Sequence, residues 1–303
     1  MSTTVDDRPV VRRDLLVLSG GTRCAVWLHR PADTAGPLPC VVLAHGLGAV
    51  RAARLEAFAR RFAAAGLSAL TFDYRYFGDS EGLPRALTDL RAQREDWSAV
   101  LALARSLPEV DNTRIALWGT SLSGGHVAVV AAHDPAIAAV ISMNPFLDGR
   151  TAGRTTPAVL KVRLMAAGLR DEVRGRLGRA PLLVPAAGGP GSGALMAGAD
   201  VEAALRAMSP DGKLPATDVS ARILLRLHRY RPVRRASHVA CPWLIQPGTH
   251  DTATPPCPAH RAAARAPRAQ LSPYPGGHFT PYTGEVFERV VTEQIAFLTR
   301  HLT

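Results

Sequence analysis

The sequence predicts an α/β fold, a mostly parallel eight-stranded sheet with an inserted helical cap. Three observations point there. Short apolar runs of strand length alternate with helix-length segments, the pattern of a parallel sheet covered by helices on both faces. The alternation breaks after Pro145 and returns at Trp243. Ahead of the break, Gly119-Thr120-Ser121-Leu122-Ser123-Gly124 joins a strand-like run to a helix-like one through a turn built of small residues.

Val10–Leu18 and Arg23–His29 read as two strands, with Ser19-Gly20-Gly21-Thr22 supplying the hairpin turn. Cys40–Ala44 is a short buried strand that ends in His45-Gly46-Leu47-Gly48. Arg51–Ala65 reads as a helix closed by Gly66, and Leu67–Tyr74 as the next strand. Leu87, Leu90, Trp97, Leu101, Ala104 and Leu107 carry helical spacing through Arg85–Leu107, with a break near its start. Arg114–Trp118 leads as a strand into the Ser121 turn, a helix follows, and Ala138–Met143 is the next strand. From about Arg150 to His238 the chain reads as helix and loop, with a Gly/Pro-rich middle at 181–193. Strand Trp243–Gln246, a helix near Pro258–Ala266, strand Ala269–Tyr274 and a helix over Thr283–His301 complete the pattern. The expected division is a core of 1–148 and 239–303 with a cap at 149–238.

The chain has 303 residues, 47% of them hydrophobic, which suits one large globular core. Its first residues are polar and lack an apolar h-region, so no signal peptide is expected, and no apolar run reaches the length of a membrane span. A cytoplasmic protein that does not engage membranes is the expectation. Cys24, Cys40, Cys241 and Cys257 show no metal-ligand spacing and read as reduced, buried thiols. The net charge is +11. Between Arg150 and Val239 stand sixteen Lys and Arg against six Asp and Glu, so nearly all of the excess lies in the insertion. Aromatic residues are almost absent there and no nucleic-acid motif appears, so nucleic acid is not an expected partner.

A serine hydroxyl becomes a useful nucleophile only beside a base, and the base needs an acid to hold its tautomer. Ser121 is the candidate nucleophile, because Gly119 two residues earlier leaves space for a sharp turn. Ser123 is its rival. Asp251, on a turn-rich loop after the strand that follows the cap, is the candidate acid, with Asp79 the alternative. His278, after the last strand and two glycines, is the candidate base, and His250 competes. The backbone N–H groups of Leu47 and Leu122 are the expected oxyanion hole. His45 reads as a brace for the Gly46–Gly48 loop. In Asp73–Gly82, Asp73 and Arg75 are expected to pair, and Tyr76 and Phe77 to line a substrate pocket. His and Asp/Glu nowhere recur at metal-ligand spacing, and no phosphate-binding loop stands in a convincing context, so neither metal nor cofactor is expected.

Together these residues resemble the α/β-hydrolase superfamily. His45-Gly46-x-Gly48, Asp73-x-Arg75-x-Phe77-Gly78-x-Ser80, Gly119-x-Ser121-x-Ser123-Gly124-Gly125, Asp251 and Gly277-His278 stand in its order. Tyr74–Gly82 and Trp118–Gly125 are most similar to dienelactone-hydrolase and peptidase-like esterases that include polyketide transferases. Ser123 departs from the Gly that many members carry. The resemblance spans the core on both sides of the insertion and not the cap. It implies an α/β-hydrolase fold and a serine hydrolase that cleaves an ester or thioester through an acyl-enzyme. Two alternatives stay open: an acyltransferase or cyclase of polyketide type, and a non-catalytic ligand-binding homologue. The implied partner is a small acyl substrate, free or linked to a carrier protein or coenzyme A. The superfamily often dimerises, which leaves a homodimer open.

Overall fold

The computed structural model describes residues 8–152 and 158–303. Its sheet has eight strands: β1 (Val10–Ser19), β2 (Thr22–Pro31), β3 (Leu38–Ala44), β4 (Ser68–Phe72), β5 (Val110–Thr120), β6 (Ala139–Met143), β7 (Trp243–Gln246) and β8 (Ala269–Leu271). They lie in the order β1-β2-β4-β3-β5-β6-β7-β8. The β1–β2 hairpin and the β2–β4 pair are antiparallel, and every pair from β4 to β8 is parallel. Gly20 and Gly21 both take positive φ, which matches the twist of a two-residue hairpin.

Strand alternation sorts the core into two layers. Cys40, Val42 and Ala44 of β3 face one layer, with Trp97, Val100 and Leu101 of α2 (Leu90–Ser106) and Val127 and Ala128 of α3 (Leu122–Ala131). Val41 and Leu43 face the other, with Phe58 and Phe62 of α1 (Leu55–Ala64) and with Val290, Val291 and Leu298 of the C-terminal helix Gly284–Leu302. Burial on both faces explains why β3 to β6 read as continuous apolar runs. Helix α3 is buried nearly all round, so it shows no amphipathic stripe.

Two helix starts differ from the sequence reading. The helix expected from Arg51 begins at Leu55, because the Arg51 N–H is taken by the Asp73 carboxylate at 2.7 Å and Arg54 adopts a left-handed conformation. The helix expected from Arg85 begins at Leu90, where the Asp89 side chain accepts from the N–H groups of Arg91 and Ala92 at 2.8 and 3.0 Å. The expected Asp73–Arg75 pair does not form. Asp73 pairs with Arg51, both buried, while Arg75 Nε lies 2.7 Å from Asp96 and its Nη2 donates to Ser19 at 2.8 Å. The two rows of charge find separate partners because Asp73 turns toward the loop after β3 and Arg75 toward α2. The thiols also divide. Cys24 and Cys40 are buried and Cys241 is half-buried, but Cys257 is exposed at the start of a helix, and all four are free.

The chain between β6 and β7 is more regular than expected. It contains α4 (Ala158–Arg176), α5 (Ala199–Met208) and two short ladders, 183–185 with 218–220 and 187–188 with 196–197. Residues 153–157 of the expected cap fall outside the described residues. Asp148, at the root of the segment, accepts from Arg231 Nε and Nη2 at 3.0 and 3.1 Å and from Arg261 at 3.1 Å, which ties the outgoing and returning chain together. Asp171 of α4 holds Arg222 through two oxygens at 2.8 and 3.0 Å. Among the described residues no helix is long and apolar enough to cross a membrane.

The buried Arg51–Asp73 pair yields a stability prediction. Asp73→Ala leaves the buried Arg51 guanidinium with only the exposed Asp79 as a carboxylate partner and frees the Arg51 and Asp79 N–H groups, and it should cost about 3 kcal/mol or more in a urea titration. A loss under about 1 kcal/mol would show that the pair does not hold the loop.

Candidate active site

β5 ends at Thr120 and α3 begins at Leu122, so Ser121 alone makes the turn between them. Its backbone is strained, with φ 54° and ψ −120°. Two hydrogen bonds hold it: the Ser121 N–H donates to Met143 O at 3.0 Å, and its carbonyl accepts from the Phe146 N–H at 2.8 Å. The turn needs two close backbone approaches. A Cβ on Gly119 would stand 2.3 Å from the Ser123 carbonyl oxygen, and one on Gly46 would stand 2.6 Å from Ser121 Cβ. Neither position admits a larger residue without displacement of the turn.

The structure brings Ser121, His278 and Asp251 together. His278 Nε2 lies 3.1 Å from Ser121 Oγ, and His278 Nδ1 lies 2.7 Å from Asp251 Oδ2. An ionised carboxylate only accepts, so Nδ1 carries the proton and Nε2 is left to accept from the serine hydroxyl. The other oxygen of Asp251 accepts from the N–H groups of Ala253 and Thr254, both at 2.8 Å. Burial alone pushes the Asp251 carboxyl upward. The pairing with His278 and these hydrogen bonds outweigh burial and hold it below the usual carboxylate range.

Sequence reading missed two residues that position this line. Asn144, directly after β6, donates from Nδ2 to the His278 carbonyl at 2.8 Å and accepts from the Gly248 N–H at 2.8 Å. It thereby joins the loops that carry Asp251 and His278. The Thr254 hydroxyl lies 2.7 Å from Asp251 Oδ2 and 2.9 Å from the Asn144 carbonyl. An Asn-Pro pair at the C-terminal end of a parallel strand was the available signal for Asn144. Thr254 had none beyond its nearness to Asp251.

The rivals sit elsewhere. Ser123 is fully buried; its hydroxyl donates to the His45 carbonyl and accepts from Tyr74, whose oxygen in turn accepts from Trp97 Nε1 at 2.7 Å. Every donor in that chain points toward the 45–48 loop. His250 is exposed. Asp79 is exposed and lies 2.8 Å from Arg51 Nη2. His45 donates from Nε2 to the Ala53 carbonyl at 2.7 Å and accepts from the Gly46 N–H at 3.0 Å. It stacks on Tyr282, and burial holds its imidazole down at about 4, so it stays neutral.

A narrow cavity opens beside Ser121 and His278. Its core wall is the 45–50 loop with Phe279 and Tyr282; its outer wall is Ala187, Met196, Leu205, Met208 and 215–217 from the inserted segment. Leu47 lies on the wall, and Leu122 is buried as the first residue of α3. Tyr76 and Phe77 are placed elsewhere: Phe77 is buried in the core layer shared with Trp97, and Tyr76 packs over Gly82. The Asp73–Gly82 loop turns inward on its ion pairs, which carries both rings off the cavity. At about 50 Å³ the cavity is far smaller than pockets that enclose a whole drug-sized ligand. A larger groove of about 430 Å³ lies between α2 and the far end of α3, crossed by the Arg105–Asp134 pair at 2.7 Å, and shares no residue with the serine cavity. Among the described residues no group of His, Cys, Asp and Glu is arranged to hold a metal ion.

The likeness to known proteins agrees with this architecture. The family model for serine aminopeptidase S33 hydrolases matches residues 35–278. The chain is 42% identical over 300 residues to a quorum-quenching protein of Acinetobacter baumannii, AidA, covering 99% of this chain and 98% of that one. A thiohydrolase of Aspergillus aculeatus is 33% identical over 149 residues, 48% of this chain and 47% of its own. Among solved structures, the α/β hydrolase GrgF of Penicillium superposes with a TM-score of 0.79 at 23% identity, over 97% of this chain and 99% of its own. The complex of DcsB with its substrate analogue matches equally well, at 0.79 and 23%, over 96% and 99%. With its eight-stranded sheet and the match across its core, the chain belongs to the serine aminopeptidase S33 family of α/β hydrolases.

Proposed function

We propose that this protein is a serine hydrolase that cleaves an apolar carboxylic ester or thioester through an acyl-enzyme on Ser121. The observation that carries the reading is the continuous hydrogen-bonded line from Ser121 Oγ through His278 to the buried Asp251 carboxylate. His278 Nε2 takes the serine proton as Oγ attacks the acyl carbonyl. Asp251 keeps the imidazole in the required tautomer and stabilises the imidazolium. The N–H groups of Leu47 and Leu122 receive the oxyanion. In support, Leu122 opens α3, where helix N–H groups lack intrahelical acceptors, and Leu47 sits on the loop braced by His45 and Ser123. His278 then protonates the leaving group and activates water for deacylation. No step of this reading calls for a cofactor.

The cavity wall is apolar apart from the proposed machinery, the neutral His45, Thr217 and Tyr282, which favours an uncharged acyl group. Its small volume means that a longer substrate enters only when 187–217 moves away from the 45–53 loop. The relative named for quorum quenching adds a substrate class to test: a small apolar signal with an ester or lactone bond, since lactone opening is ester hydrolysis at the same kind of carbonyl. A second reading keeps the acyl-enzyme and changes the acceptor from water to an alcohol or amine. A polyketide transferase of Penicillium crustosum, 35% identical over 124 residues, favours it.

A fluorophosphonate probe should label the wild type and Ser123→Ala but not Ser121→Ala, and the last substitution should lower kcat on p-nitrophenyl esters by on the order of 10⁴-fold or more. An unlabelled wild type would mean a binding protein rather than an enzyme.

Asp251→Asn should lower kcat by on the order of 10³- to 10⁴-fold. It also has a sign in the pH dependence of stability. A carboxyl held below its unfolded value contributes stability that is present above about pH 4 and lost as pH falls through the folded value. Denaturant titrations in that acid range should therefore show a shallower loss for Asp251→Asn than for the wild type.

Carrier-linked substrates can be tested on the exposed Arg229, Arg234 and Arg235. Arg231 is unsuitable because it is spent on Asp148. Reversal of the three charges should slow turnover of an acyl carrier-protein thioester several-fold and leave a free p-nitrophenyl ester unchanged. Equal effects on both would remove the carrier-linked reading.

A further inference from the structure

Helix α4 presents its apolar side to solvent. Val159, Val162, Leu169 and Val173 are 67%, 70%, 58% and 57% exposed, and Leu177, just beyond the helix, is 63% exposed. Leu164, Gly168 and Asp171 form the buried side, where Gly168 approaches the Ala221 carbonyl and Asp171 holds Arg222. At 100° per residue the exposed apolar side chains fall on one arc opposite that buried side. Arg163, Arg170 and Arg174 border the arc on one flank, and Arg176 and Lys161 lie on the other. The two acids of the helix are already neutralised. Asp171 is taken by Arg222, and Glu172 lies 2.9 Å from Arg226 and 3.5 Å from Arg176. The helix thus keeps a positive charge around an uncovered apolar ridge some 28 Å long.

We propose that this face docks the protein onto the surface of an anionic lipid bilayer, with α4 lying in the interface plane. It is a surface attachment and not a span. The sequence expectation of no membrane contact rested on the absence of spanning segments, which leaves this face unaddressed. Charge decides the occupant. A ridge of Val and Leu with cations along both edges matches the headgroup and acyl boundary, where apolar side chains insert and anionic headgroups surround them. A second copy of the chain fits poorly. Antiparallel pairing of two such ridges sets the arginine-lined flank of one helix against the same flank of its copy, and the two acids of the helix are already engaged. A protein partner would need a concave apolar groove with acidic rims on both sides, whereas a bilayer accepts a convex ridge as it stands. The inference is independent of the chemistry proposed at Ser121.

The test is co-sedimentation of the full-length protein with vesicles of phosphatidylcholine alone or mixed with phosphatidylglycerol. The expected result is at least ten-fold stronger binding to the mixed vesicles, weakened in high salt. Leu169→Gln with Val173→Gln, and separately Arg163→Glu with Arg170→Glu, should each reduce that binding at least ten-fold. Both pairs lie on the exposed side, and unchanged thermal unfolding and far-UV circular dichroism would show that the variants fold. Three results overturn the proposal. The first is no binding of the wild type to the mixed vesicles. The second is undiminished binding of the Gln pair, which would reduce the contact to charge alone. The third is a concentration-dependent dimer in analytical ultracentrifugation that the Gln pair abolishes, which would assign the face to a second copy.

Discussion

The strained turn at Ser121 is the constraint around which the rest of the site is arranged. One residue must leave β5 and enter α3 with its φ at 54°, a conformation that costs about 1–3 kcal/mol for a side chain of this kind. The turn survives because the surroundings over-determine it. Gly119 lets the Ser123 carbonyl pass close behind it, Gly46 lets the neighbouring loop approach in front, and the Ser121 N–H and carbonyl are bonded to the end of β6 and to the loop that follows it. The result is a half-buried hydroxyl that opens onto the cavity at the C-terminal edge of a parallel sheet. Loops from β6, β7 and β8 reach that edge with Asn144, Asp251 and His278, the region where open α/β sheets bind ligands.

Buried polar groups position the loops around this turn. Trp97, Tyr74 and Ser123 pass hydrogen bonds toward the His45 carbonyl, and His45 itself grips Ala53 and Gly46. Arg51 with Asp73 and Arg75 with Asp96 lock the loops after β3 and β4. An apolar core of equal volume packs as well but does not specify the direction of a loop. Hydrogen bonds do, because a small displacement leaves a buried donor or acceptor unpaired. Ser123 shows the principle. It stands where many members of the superfamily carry glycine, and its hydroxyl fills the gap with a directed bond.

The inserted segment works by a different logic. Its contact with the core is clamped at Asp148, and its inner wall of Ala187, Met196, Leu205 and Met208 closes over the serine with apolar side chains. Its outer surface carries the exposed ridge of α4, and the segment as a whole holds most of the net charge of the sequence. The core thus supplies a fixed geometry, and the insertion supplies the wall over the serine and the face proposed to dock.

Strand periodicity, glycine placement and chain order made the sheet legible from the sequence alone, because each is a local property that burial on two faces imposes on a short run of residues. The same signals named Ser121, Asp251 and His278, which the structure brings into one hydrogen-bonded line. The sequence could not assign the partners of Asp73 and Arg75, or find Asn144 and Thr254, or direct Tyr76 and Phe77 away from the cavity. Those outcomes depend on which residues, distant in the chain, meet at one edge of the sheet. The insertion was least legible for the same reason. Whether the apolar side of α4 turns to the core or to water depends on where Asp171 finds Arg222, a contact between residues far apart in sequence that only the folded chain decides.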